Sequence, residues 1–88
     1  MDEQALKDKI KRVLMDELGV AEDRVTPDAK LIDDLGVVDR GLGFVELSIR
    51  LEQEFGVALP DDEMDQVHTV AELYQCVIRN LPEDASLQ

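Results

Sequence analysis

At 88 residues the chain has room for one domain, because a second independent core could not be built from so little apolar surface. With no Trp, and with Phe44, Phe55 and Tyr74 as the only aromatics, that core must be filled by Leu, Val and Ile. A net charge of −12 repels phosphate backbones and anionic lipid, so nucleic acid and membrane surfaces are not expected as partners.

The first predicted element runs from Glu3 to Leu18. Leu6, Ile10, Val13, Leu14 and Leu18 recur at three- and four-residue spacing, the period of an amphipathic helix, with Lys7, Asp8, Lys9, Lys11 and Asp16 on the other face. Asp2 and Glu3 suit its start through the helix dipole, and Gly19 suits a left-handed stop. A terminus reading "MDEQALKDK" is charged from its second residue, unlike a signal peptide or a membrane anchor. No apolar run approaches the ~20 residues needed to span a bilayer, and a cytoplasmic protein is expected.

Residues 20–41 hold neither helical nor alternating periodicity, and Pro27, Gly36 and several Asp residues punctuate them. A loop this long is functional or tied down. Val20, Val25, Leu31, Ile32, Leu35 and Val37 are the residues expected to pack it onto the helices, with a short turn within Ala29 to Asp34.

A second long helix is predicted from Gly41 or Leu42 to Phe55, closed by Gly56. Phe44, Leu47, Leu51 and Phe55 form an inward row, Val45 and Ile49 an adjoining one, and Glu52 lies near that second row. A stripe of aliphatics beside acids reads either as core plus solvated face or as an exposed recognition strip. A short helical piece near Asp61 to Gln66 follows a Pro-marked turn. The last helix is predicted over Thr69 to Asn80, opened by the capping box Thr69-Val70-Ala71-Glu72, with Val70, Leu73, Tyr74, Val77 and Ile78 as its apolar face. The expected fold is all-α: three longer helices and one short one in a four-helix bundle, with a long loop between the first and second. The domain is expected over 1–82, with a polar tail over 83–88.

Self-contained catalysis finds little support. Cys76 alone makes no disulfide, and a single His, His68, leaves no ligand set for zinc. Cys76 reads as a small, partly buried side chain on the last helix, since His68 lies eight positions upstream with nothing to place it against the sulfur. The acids of "DAKLIDDLG" miss EF-hand spacing, and Asp33 and Asp34 read as solvated loop carboxylates. The glycines at 36, 41 and 43 have no Lys-Ser/Thr after them and no strand before. No catalytic residue and no metal site is expected. The charge is uneven: residues 1–30 hold six Lys/Arg against eight Asp/Glu, whereas 31–88 hold only Arg40, Arg50 and Arg79 against thirteen acids. Such a field favours docking on basic patches of other proteins, weakened by salt.

From Leu31 to Val70 the chain resembles the acyl carrier protein family, on "LIDDLG", then "VEL" and "LEQEFG" on the second helix, then "LPDDE" and "HTVAEL". The resemblance implies the family's four-helix bundle and its cofactor, 4′-phosphopantetheine, joined to a serine hydroxyl where an Asp-Ser-Leu loop enters the second helix. It implies a carrier that shuttles acyl intermediates as thioesters between enzymes of fatty-acid and lipid biosynthesis. The implied partners are basic surfaces of acyl-transferring enzymes and a phosphopantetheinyl transferase, met by a monomer. Leu42 takes the motif leucine, so Gly41 stands at the serine and Arg40 at the aspartate. In the other alignment Asp39 is the motif aspartate, and Arg40-Gly41 together replace the serine. Either way there is no attachment hydroxyl, and Thr26, Ser48, Thr69 and Ser86 do not match the motif. The glycine reads as a change that keeps the protein unmodified, as a modified serine written as glycine, or as a relative that loads nothing. A tolerated helix-cap glycine looks the same in all three. By resemblance Glu46 and Glu52 match acidic docking positions with Val45 and Ile49 as apolar neighbours, and Glu54 is a further candidate; the alternative is a non-loading interaction module using the same acidic helix.

Overall fold

The computed structural model describes residues 3–37 and 42–81; Asp2 and the expected tail over 83–88 lie outside them. Among the described residues there are four α-helices: α1 (Glu3–Leu18), α2 (Leu42–Phe55), α3 (Asp61–Met64) and α4 (Val70–Asn80). No strand forms among them, only an isolated antiparallel bridge between Lys30 and Thr69. The fold is the expected all-α bundle of three longer helices and one short. No helix is long and apolar enough to cross a membrane among the described residues.

The stripe on α1 buries Leu6, Ile10, Val13 and Leu14, with Leu18 partly covered. Gly19, at φ +66°, closes the helix by donating its amide to the Met15 carbonyl at 2.9 Å, a left-handed stop that costs glycine little. Two lysines of α1 lie over aromatic rings. Lys9 Nζ stands 5.3 Å from the centre of the Phe55 ring and Lys7 Nζ 5.8 Å from that of Tyr74, so their stems shield the ends of the core.

The last turn of α1 carries Asp16 and Glu17, acids at the negative end of a helix dipole. Arg50 of α2 answers both: Nη1 donates to Glu17 Oε1 at 2.9 Å and Nη2 to Asp16 Oδ2 at 3.3 Å. Asp16 first and Glu17 second hold this guanidinium more firmly charged than usual. The pair of contacts pins α2 across α1.

α3 is shorter than the sequence expectation, which reached Gln66. Its first turn is held by the Pro60 carbonyl, which accepts from Glu63 and Met64 at 3.1 and 3.0 Å. Beyond Met64 the bonding tightens: Gln66 donates to Glu63 O and Val67 to Met64 O, both at 3.0 Å. These are three-residue steps that end an α-helix in 3₁₀ geometry. Glu63 then reaches α4, accepting from Arg79 Nε at 2.8 Å and Asn80 Nδ2 at 3.1 Å.

The α1–α2 loop is more ordered than its lack of periodicity suggested. A single 3₁₀ turn forms at Glu22–Arg24, closed by Arg24 N to Ala21 O at 3.0 Å; one turn is too short to leave a periodic signal. Asp34 Oδ2 accepts from the Lys30 amide at 2.8 Å across the turn at 31–35. Val25, Ala29, Leu31, Leu35 and Val37 are buried, and Val20 and Ile32 pack partly against the same core. The loop also feeds α4. The Ala29 carbonyl accepts from Val70 N and the Pro27 carbonyl from Ala71 N, each at 3.0 Å, while Leu31 N donates to His68 O at 2.9 Å.

α4 buries Val70, Leu73, Tyr74, Cys76 and Val77, with Ile78 partly covered. Cys76 is fully buried instead of partly so, because it stands on the inner face between Leu73 and Val77. Burial pushes its thiol up from the ordinary cysteine range, which suits a packing role over a nucleophilic one.

Candidate functional site

The candidate site is α2 and the junction that leads into it. Leu42 opens the helix, as expected, and the first turn contains no acid, whereas the first turns of α1, α3 and α4 each do. Asp39 and Gly41 lie outside the described residues.

The inward row buries Phe44, Leu47 and Leu51 and leaves Phe55 half-covered. The adjoining row is different. Val45 and Ile49 are each 46% exposed, although both are aliphatic and stand one turn apart on the same face. Lone exposed aliphatics need no explanation, but two in register on one helix beside an acid make a small apolar patch. Of the two readings open for this helix, the aliphatics of this row are therefore not core.

Helix geometry sorts the four acidic and apolar neighbours. At about 100° per residue, Ile49 falls about 40° from Val45, Glu52 about 20° on its other side, and Glu46 about 100° away. Glu54 falls about 180° from Val45, on the far side of the helix, where its charge bears on Arg50. Glu46 is exposed and takes part in no hydrogen bond or ion pair among the described residues. Glu52 is half-buried and engaged: its Oε2 accepts from the Leu59 amide at 2.8 Å. Val45, Glu46, Ile49 and Glu52 therefore share one side of α2, while Glu54 does not. The two residues that sequence reasoning passed over are Arg50 as a clamp on α1 and Leu59 as the partner of Glu52. Neither bond has a local sequence signal.

Residues 8–77 match the family described as "Phosphopantetheine attachment site". Over 73 residues the chain is 37% identical to the "Acyl carrier protein" of Akkermansia muciniphila, an alignment covering 83% of this chain and 89% of that relative. The chain belongs to the acyl carrier protein family, whose cofactor is 4′-phosphopantetheine.

The residues present do not fit that group as a covalent attachment. A phosphodiester of this kind forms on a side-chain hydroxyl, and the sequence Asp39-Arg40-Gly41-Leu42 leading into α2 holds none. Among the described residues the aliphatic hydroxyls belong to Thr26, Ser48 and Thr69. Ser48 is only 8% exposed and is the seventh residue of α2, about 9 Å along the axis from its first residue, Leu42. Thr69 is committed to the α4 cap, its Oγ1 accepting from Glu72 N at 3.2 Å, and Thr26 belongs to the α1–α2 loop, its carbonyl accepting from Ala29 N at 3.0 Å.

Proposed function

We propose that this chain is a docking protein of acyl metabolism. It presents α2 to basic surfaces of acyl-transferring and biosynthetic enzymes, and to a phosphopantetheinyl transferase, without holding a thioester of its own. It acts as a monomer among cytoplasmic enzymes, and its role is recognition, not catalysis. The observation that carries this reading is the pair Val45 and Ile49, both exposed on α2, beside an unengaged Glu46. The apolar pair supplies contact area, and the acid, within a chain of net charge −12, supplies attraction to a cationic partner. Arg50 does not oppose that field, because Asp16 and Glu17 already neutralise it.

Shuttling of acyl groups as thioesters is the second reading, and it depends on an attachment oxygen at position 41. It takes precedence only if the protein from its own host carries the prosthetic group.

Glu46→Lys tests the docking role. Affinity for a carrier-protein phosphopantetheinyl transferase, measured by calorimetry at low salt, is expected to fall about five- to tenfold. The thermal midpoint should stay within about 2 °C, since Glu46 holds nothing in the fold. Unchanged affinity would remove α2 from the interface.

A further inference from the structure

Glu52 stands on the same side of α2 as Val45 and Ile49, yet its carboxylate is not offered outward. Two atoms of this residue hold the two ends of the α2–α3 linker. Its backbone carbonyl accepts from Gly56 N at 2.8 Å, closing the helix with Gly56 at φ +65°. Its Oε2 accepts from Leu59 N, also at 2.8 Å. Between those anchors the chain runs through residues 57–60 without regular structure and buries Val57 and Leu59. The amide of a buried linker residue needs an acceptor, and neither a helix nor a sheet ladder supplies one there. A carboxylate is a strong acceptor for this purpose. Immediately beyond, the Pro60 carbonyl starts α3, so the bond to Leu59 also sets where the short helix begins.

We infer that Glu52 is a positioning residue: it acts as a hydrogen-bond acceptor that fixes the α2–α3 linker, and not as a charged contact to the docking partner. A cationic partner that took Glu52 Oε2 would displace the Leu59 amide and loosen the linker that seals the end of α2. Glu46, six positions earlier, faces no such conflict. The acidic part of the docking face therefore reduces to Glu46. The partner side of this inference rests on the docking role proposed for α2; the linker side stands without it.

The two roles separate on one substitution. Glu52→Gln keeps an acceptor oxygen and removes the charge, whereas Glu52→Ala removes both. Hydrogen exchange of the Leu59 amide is expected to run about tenfold faster in Glu52→Ala and to stay within about threefold of wild type in Glu52→Gln. Binding to the phosphopantetheinyl transferase should stay within about twofold in Glu52→Gln, while Glu46→Gln weakens it about threefold or more. Leu59 exchange unchanged in Glu52→Ala overturns the inference. So does Glu52→Gln binding as poorly as Glu46→Gln with Leu59 still protected. If Glu46→Gln and Glu46→Lys both bind normally, the docking role fails instead, and the Leu59 readouts alone decide the role of Glu52.

Discussion

The starts of α4 and α2 meet the same problem with different residues. Every helix leaves its first amides without intrahelical partners. At α4 the chain answers all four: Ala29 O takes Val70 N, Pro27 O takes Ala71 N, Thr69 Oγ1 takes Glu72 N, and Glu72 Oε1 takes Thr69 N at 3.0 Å. The Glu72 carboxylate also accepts from His68 N at 2.9 Å. At α2 the sequence brings a glycine to the entrance and no acid to the first turn. A start like that of α4 is closed to any outside group, because loop and cap are already there. The contrast teaches that the helix start with the fullest cap is not the one to which the family pattern assigns the attachment point. The one that stabilises is sealed, and the one assigned to function lacks its side chain.

Restoring that side chain is the strongest way to break the contrast. With a phosphopantetheinyl transferase and coenzyme A, Gly41→Ser is expected to gain the mass of one prosthetic group, read by intact mass spectrometry, and the unsubstituted chain none. A mass gain in the unsubstituted chain, or none in Gly41→Ser, would contradict the assignment of position 41. The same substitution should change stability by only a few tenths of a kcal/mol, since glycine is nearly as good a cap as serine.

Removing the cap at the other start should cost more in stability and nothing in loading. Thr69→Ala is expected to destabilise the domain by about 1 kcal/mol, lowering the thermal midpoint by about 4–8 °C for a chain this size. Thr69→Ser should retain most of it. If Thr69→Ala melts with wild type, the loop carbonyls of Pro27 and Ala29 are sufficient to cap α4 alone.

The smallest effect is in the acid limb of stability. Amides of His68 and Thr69 hold the Glu72 carboxylate below its ordinary value of 4.5, and Arg79 followed by Asn80 does the same for Glu63. In both cases the unfolded chain takes up the proton first as pH falls. The stabilisation is therefore complete above about 4.5 and is lost as pH drops from there through the lower folded values. Denaturant titrations from pH 6 to 3 should show a shallower loss in Glu72→Gln than in wild type. Equal slopes would mean that Glu72 caps the helix without a preference for its ionised form.

Much of this arrangement is legible in the chain. The capping box at Thr69 announces itself because both partners lie within four residues, and the helical stripes of α1 and α4 announce their buried faces for the same local reason. The position of Gly41 is legible only against the family pattern. What stays hidden is whatever joins residues distant in sequence. Pro27 and Ala29 supply α4 from more than forty positions away, and Arg50 reaches acids more than thirty positions back. Glu52 is the sharpest case. Its place on the outer side of α2 follows from helical period alone, but the direction of its carboxylate depends on an irregular linker that no period describes.

The sequence by itself determined the helices, their closing glycines, the aliphatic core, and the missing hydroxyl at the entrance to α2, because each depends on residue type and short-range spacing. The tertiary structure decided which acids remain available. Glu46 is left exposed, and Glu52 is taken up by the Leu59 amide, because a side chain's partners are set by the segments folded against it.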